Sequence, residues 1–233
     1  MRFDGQTALV TGANRGLGRH LAQQLRDRGA TVYAGARNPA AVDLDGVTPI
    51  AIDITDPASV AGAAHSIGNA SIVINNAGVS TGTSLLTGNL DDVRLEMDTH
   101  FFGTLSVTRA FAPQLGQHDQ SAVLNVLSAL SWYTFPHVGA YCAAKSATWS
   151  MTNALRQELA EQGTRVAALM VANMDTGMGR DADAPTKADP ADIARIALDG
   201  IADDAYEIIA DDTSKQVLAG LAGGVSALYP QFA

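Results

Sequence analysis

Thr11-Gly12-Ala13-Asn14-Arg15-Gly16-Leu17-Gly18 stands between an apolar run, Thr7–Val10, and a helical pattern over Leu17–Arg28. The first glycine permits a tight reversal, and the others let a ligand or a second strand approach the backbone closely. The helix that opens at Gly16 or Leu17 offers free N–H groups and the positive end of its dipole, a natural seat for a pyrophosphate. The spacing is G-x-x-x-G-x-G rather than the G-x-G-x-x-G of the usual dinucleotide fingerprint. Three glycines in a turn are weak testimony alone. Placed in the first strand–helix unit of an alternating chain, they favour a dinucleotide site made by Gly12, Asn14, Arg15, Gly16, Leu17 and Gly18.

That alternation runs through most of the 233 residues. Strands are expected at Thr7–Val10, Thr31–Ala34, Thr48–Ile52, Ser71–Ile74, Ala122–Val126, Val166–Val171 and Tyr206–Ile209. Helices are expected near Leu17–Arg28, Pro57–Ser66, Leu90–Leu115, Ala140–Gln162 and Pro190–Ala202, with a last one from Asp212 to about Leu228. Several strands are apolar at consecutive positions, as strands covered on both faces are. The pattern implies an α/β fold: one Rossmann-type doubly wound sheet of about seven mainly parallel strands flanked by helices. No linker or internal repeat divides it, so residues 1–233 read as a single domain, with a cofactor half over roughly 1–115 and a catalytic and substrate half over roughly 116–233.

Composition narrows the partners. The net charge is −9, from 15 basic and 24 acidic side chains, and no Lys/Arg-rich run is present. Nucleic acid and anionic membrane are therefore poor partners. No stretch approaches the roughly 18 apolar residues of a membrane span, and the amino terminus does not read as a signal peptide. A cytoplasmic location is the default. The single cysteine, Cys142, excludes an internal disulfide and a Cys-rich metal site; it reads as a packing residue, and no metal is expected.

Cofactor type is read at the end of the second strand, where an NAD enzyme places an acidic residue for the ribose 2′-hydroxyl. Here Ala36 is followed by Arg37. A guanidinium suits a 2′-phosphate, which a carboxylate would repel. With Arg15 nearby in the turn, the preference is for NADP(H).

The chemistry lies in Tyr141-Cys142-Ala143-Ala144-Lys145 at the start of a long helix. Four-residue spacing puts phenol and ammonium on one face. A neighbouring cation would lower the tyrosine pKa from about 10, each unit being about 1.4 kcal/mol. Such a phenol can give a proton to a forming alkoxide or take one from an alcohol. Y-x-x-x-K is common in ordinary helices, so its context decides. Ser128 follows the strand Ala122–Val126 at the carboxyl edge, where open α/β sheets bind ligands, and Asn75-Asn76-Ala77-Gly78 ends another strand on that edge.

Taken together, TGANRGLG at 11–18, Asp53 after the third strand, NNAG at 75–78, Ser128 and YCAAK at 141–145 resemble the classical short-chain dehydrogenase/reductase family over nearly the whole chain. The resemblance implies that Tyr141 is the general acid/base, that Ser128 orients and polarises a carbonyl, and that Lys145 holds the nicotinamide ribose and tunes Tyr141. It also implies that Asp53 and Ile54 lie against the adenine, that Asn76, Ala77 and Gly78 line the adenine ribose, and that Thr176 binds the carboxamide. A homodimer or homotetramer is implied, with the helices near 90–115 and 140–162 at the interface.

Two departures from the family pattern stand out. Thr99-His100-Phe101-Phe102-Gly103 puts His100 where an asparagine usually completes a catalytic tetrad. Its backbone carbonyl can preserve the water-holding role, its imidazole can add a titrating group, or it can simply pack. After the sixth strand, Val171-Ala172 replaces the usual Pro-Gly, while Thr176 is retained.

The expected activity is NADPH-dependent reduction of a ketone or aldehyde, or the reverse oxidation of a secondary alcohol. Trp132, Tyr133, Phe135 and His137 follow Ser128 and suit an aromatic or bulky substrate, although core or subunit packing claims at least half of such residues. The stretch Gly177–Asp189 reads as a surface loop or as a lid, to which Met174 and Met178 can add adaptable apolar contacts. Two other readings stay open: an NADP(H)-binding regulatory protein with little turnover, and a non-redox lyase or isomerase on the same scaffold.

Overall fold

A computed structural model describes residues 1–176 and 187–232. Seven strands form one sheet in the order β3-β2-β1-β4-β5-β6-β7. They are β1 (Thr7–Thr11), β2 (Thr31–Ala36), β3 (Thr48–Ala51), β4 (Ile72–Asn75), β5 (Ser121–Val126), β6 (Thr164–Met170) and β7 (Glu207–Ile209). Every neighbouring pair is parallel, so the sheet is wholly rather than mainly parallel.

Side-chain alternation explains the two layers of helices. Ala8 and Val10, Ile72 and Ile74, and Ala122 and Leu124 face one way, onto α1 (Gly16–Asp27) and α6 (Pro190–Ala202). Leu9, Val73 and Val123 face the other, onto α2 (Pro57–Ile67), α4 (Thr104–Leu115) and α5 (Gly139–Glu158). An apolar strand with both faces covered carries no polar side, which is why these runs show consecutive hydrophobic residues. Leu17, Leu21 and Leu25 supply the buried stripe of α1 at the i, i+4 spacing of a helix face.

Several helix starts are fixed by side-chain caps. Asp56 accepts from Ala58 N ahead of α2, and Asp189 from Ala191 N ahead of α6, each followed by proline at the first helical position. Asn89 caps α3 (Leu90–Met97) and Asp211 caps α7 (Asp212–Gly220). The first turn of α1 has neither a side-chain cap nor an acidic residue.

The single helix expected over Leu90–Leu115 is three pieces. Between α3 and α4, residues Asp98–Gly103 wind as a π-helix, a form found frequently at functional sites. A β-carbon at Gly103 would stand 2.9 Å from Ile54 Cδ1, so the widened turn seats that glycine against the end of the third strand–helix connection. The carboxyl-terminal helix is also interrupted: α7 gives way to a 3₁₀ turn and α8 (Gly224–Leu228). The tail then returns to its own chain, where Tyr229 stacks on Tyr133 at 4.8 Å and its hydroxyl accepts from Thr134 N at 2.9 Å. Residues 177–186, which include Met178 and most of the expected lid, lie outside the described residues. The flanks are tied together, with Met174 bridged to Ala188 and Asp175 N donating to Ala188 O.

Candidate active site

The strand order reverses between β1 and β4, and a doubly wound sheet opens its ligand crevice at such a point. Here the glycine turn and the NNAG segment meet. Thr11 Oγ1 accepts from Asn76 N and Ala77 N, each at 3.0 Å, and donates to Ile74 O. Asn76 Nδ2 donates to Thr11 O at 2.9 Å and Gly12 O at 3.2 Å. The Asn76 side chain is thus a clasp on the turn, a role the sequence did not suggest. Gly12 and Gly16 have φ of 65° and 53°, left-handed backbone that favours glycine. Gly18 is there for a different reason: a β-carbon would lie 2.3 Å from Gly12 O.

The turn delivers the uncapped start of α1 to the crevice. Arg15, at the cap position, and Arg37, just past β2, are both exposed. Leu17 points away into the core, so only its backbone is available to a ligand. Asn14 is partly buried within the turn. Asp53 holds Thr55, accepting from its N at 3.0 Å and its Oγ1 at 2.7 Å. Those bonds, helped by the Arg37 charge, keep its carboxyl below the usual range. Ile54 is buried beside it. Thr176 comes to the same turn, its Cγ2 3.5 Å from where a β-carbon of Gly16 would be.

The chemical group gathers at the end of β5. Ser128 is buried and caps a 3₁₀ turn, its Oγ accepting from Leu130 N at 3.1 Å. Tyr141, in the first turn of α5, lies within reach of the Ser128 hydroxyl. Lys145 is buried one turn further on; its Nζ donates to Val126 O at 2.8 Å and lies 5.6 Å from the centre of the Tyr141 ring. Burial lowers the lysine to about 8, against support from the Glu96 charge.

One expectation is overturned here. The phenol of Tyr141 is pushed up rather than down: burial outweighs the hydrogen bond from Ser128, and the Glu96 charge adds to the rise. Burial is the cause, for an enclosed phenolate loses its hydration.

His100 is in contact with this group. Its ring meets Tyr141 edge-to-face at 5.2 Å, and its Cε1 would be 2.7 Å from a β-carbon on Gly78. Its backbone carbonyl accepts from Thr148 Oγ1 at 3.1 Å, a hydroxyl lying closer, at 2.8 Å, to Ala144 O. Thr148 ends a buried polar chain in which Asn75 Nδ2 donates to Thr108 and Asn125, and Asn125 Nδ2 to Thr152. Nothing in the sequence pattern marked that chain, because its asparagines come from β4 and β5 and its threonines from α4 and α5, far apart along the chain.

Of the aromatic residues after Ser128, two are drawn elsewhere. Trp132 packs edge-to-face on Trp149 at 6.3 Å, and Tyr133 on the tail; Phe135 remains exposed and tilts over His137. At the second departure from the family pattern, Ala172 N donates to Asp211 Oδ2 at 2.7 Å while Asp211 Oδ1 caps α7, so that connection is anchored by a side chain.

Residues 6–187 match the family model described as short chain dehydrogenase. The chain belongs to that family. A short-chain dehydrogenase from Burkholderia cenocepacia J2315, solved in complex with NADP, shares 34% identity and superposes with a TM-score of 0.94, covering 99% of this chain and 98% of that one. A 3-ketoacyl-(acyl-carrier-protein) reductase from Brucella melitensis, complexed with NADH, shares 26% identity at a TM-score of 0.78, covering 85% of this chain and 91% of that one. In sequence, the 3-ketodihydrosphingosine reductase of Bacteroides thetaiotaomicron is 30% identical over 176 residues, which are 74% of this chain and 65% of that protein. Among the described residues no helix is long and apolar enough to cross a membrane, and no cluster of metal-ligating side chains exists.

Proposed function

We propose that this member of the family is an NADPH-dependent reductase of a ketone or aldehyde, able to run in reverse on a secondary alcohol. The observation that carries the proposal is the convergence of Ser128, Tyr141 and Lys145 at the carboxyl edge of β5, beside a glycine turn whose helix start is uncapped.

The residues present fit a dinucleotide. Gly12 and Gly16 supply the left-handed turn, and the first-turn N–H groups of α1 suit a pyrophosphate. Arg37 and Arg15 suit a 2′-phosphate, with no acidic residue directly after β2. Asp53, Ile54 and Asn76 to Gly78 would border the adenosine, and Thr176 the nicotinamide end. Members of this family differ in cofactor, as the NADP and NADH complexes above illustrate; Arg37 is the feature that favours NADP(H) here. The nicotinamide, when bound, supplies the hydride.

The chain's own residues manage the oxygen and the proton. Ser128 Oγ donates to the carbonyl oxygen and polarises it, alongside the Tyr141 hydroxyl. Tyr141 then gives its proton to the oxygen as negative charge develops. The neutral phenol is the form that donates, as the reductive step requires. Lys145, charged below about pH 8, steadies the phenolate left behind. Phe135, exposed just ahead of α5, suits an apolar or ring-bearing carbonyl compound. An oligomer built on the face of α3 and the π segment, which exposes Leu90, Leu95 and Phe102, completes the proposal; a monomeric mass in solution would remove that part.

Loss of NADPH absorbance across a panel of aldehydes, ketones and quinones tests the reading. Oxidation by the wild type that disappears in Tyr141→Phe supports it. Tight NADPH binding with no oxidation across the panel would replace the reductase with a cofactor-binding protein, and turnover without net NADPH change would point to a lyase or isomerase.

A further inference from the structure

Glu96 is the most deeply buried carboxylate of the described residues, with no exposed surface. It lies on α3, one turn before His100 on the π segment. One carboxylate oxygen, Oε1, accepts from Thr81 N at 2.6 Å and from Thr81 Oγ1 at 2.9 Å. The other, Oε2, stands 3.2 Å from His100 Nε2. That nitrogen is also 2.9 Å from Val79 O, and Oε2 has no hydrogen-bond partner of its own. Both neighbours of Nε2 are acceptors, which fixes the proton on Nε2 and leaves Nδ1 as the lone-pair nitrogen.

Packing alone does not account for this carboxylate. A buried carboxylate oxygen without a full partner costs roughly 1–3 kcal/mol or more, and an apolar residue in α3 would avoid the cost. What Glu96 does hold is a set of contacts around the tyrosine. Through Thr81 and, via His100, through Val79 it fixes the loop that follows the NNAG turn. Through the imidazole it fixes the edge on which Tyr141 rests and the surface that Gly78 meets. The titratable groups facing it are His100 from the π segment and Tyr141, Cys142 and Lys145 from α5.

We infer that Glu96 is a positioning residue of this active site, acting through His100 and Thr81 to fix the seat of Tyr141 and supplying the buried negative charge that faces Lys145. The inference rests on the reductase reading above. Its electrostatic sign is definite. The Glu96 charge favours the protonated lysine and disfavours the phenolate, so neutralising it moves both ionisations toward lower pH. Any limb of the pH profile governed by either group moves the same way, in reduction and in oxidation alike.

Glu96→Gln is the test, because glutamine keeps the shape and an acceptor for Thr81. The variant is compared with the wild type by the pH dependence of kcat/KM, by NADPH binding followed through fluorescence, and by nitrogen chemical shifts of the His100 ring. The expected result is a kcat lowered on the order of 10- to 100-fold, as for a displaced catalytic group. The governing limb shifts toward acid, NADPH affinity stays within about threefold, and the His100 ring nitrogen shifts move from their wild-type values. A pH profile that superimposes on the wild type, or a loss confined to KM and NADPH affinity, overturns the inference. If the wild type oxidises NADPH with no compound, the reductase reading falls by itself. The ring spectra still decide the pair: a wild-type imidazole that is not Nε2–H, or one unchanged in Glu96→Gln, overturns it.

Discussion

Placing a methyl group on Gly18 asks whether the glycine turn is built by close approach, as the geometry requires. The new β-carbon would sit 2.3 Å from Gly12 O and 2.4 Å from Asn76 Nδ2. Neither is the loose end of a flexible chain: the first is backbone, and the second is the amide that clasps Thr11 and Gly12. Forcing the turn apart costs about 1–3 kcal/mol by overpacking. Losing the two Asn76 bonds adds up to about 1 kcal/mol each, and the better helix propensity of alanine returns at most about 1 kcal/mol. The balance is a destabilisation of roughly 2–4 kcal/mol, a fall in Tm of about 4–16 °C for a domain of this size. NADPH binding should suffer with it, because the first turn of α1 moves. Gly62 in α2 is the internal control, for a β-carbon there meets nothing within 4 Å; Gly62→Ala should gain about 0.5–1 kcal/mol. Thermal unfolding and NADPH titration of both variants settle the matter. A Gly18→Ala protein that melts with the wild type and binds NADPH unchanged would refute the reasoning.

Arg37→Asp should weaken NADPH binding by roughly 100-fold, about the worth of a charge-assisted pair, while NADH binding changes far less; equal losses in parallel titrations would end the 2′-phosphate assignment. His100→Asn should keep measurable turnover at a reduced kcat, since the residue seats Tyr141 without touching substrate; complete loss in steady-state assays would give the imidazole a chemical step of its own. Lys145 ionises near 8 in the fold and near 10.4 when unfolded, so between those values the unfolded chain binds more protons. Stability should therefore rise by about 2 kcal/mol from pH 8 to 10 through this group. Tyr141, shifted the other way, opposes the gain above about pH 10. Unfolding free energies across that range should show the rise in the wild type and not in Lys145→Met.

The frame of the fold was open to reading because its signals are local. Buried parallel strands announce themselves by consecutive apolar residues, and Asp56-Pro57 and Asp189-Pro190 mark helix starts within two residues. The glycine turn, Ser128, Tyr141 and Lys145 were legible for a related reason: each sits at a strand end or a helix start, and topology alone brings those points to one edge. Winding was not legible. A π turn at Asp98–Gly103 has the same apolar pattern as the α-helix it interrupts, and what demands it is Gly103 meeting Ile54, nearly fifty residues earlier. The tail was equally opaque, since Tyr229 finds its partner in Tyr133, and a single ring in a sequence names no partner.

Tyr141 shows how the same limit reaches the chemistry. Four-residue spacing places Lys145 and Tyr141 on one helix face, from which a lowered phenol pKa follows if the cation outweighs burial. The ammonium is committed to Val126 O, at the end of a strand contributed from nineteen residues earlier, and the ring lies under it at 5.6 Å. Burial then governs, and it works in opposite senses on the two groups: the acid becomes harder to ionise and the base easier to neutralise. The outcome is a site that holds its phenol protonated while its lysine is only half charged near pH 8. A protonated phenol with a waiting cation is arranged to donate, and the buried carboxylate of Glu96 reinforces both conditions at once. Spacing could locate the pair, but the sense of the two shifts depended on burial and on Glu96, both supplied by the fold.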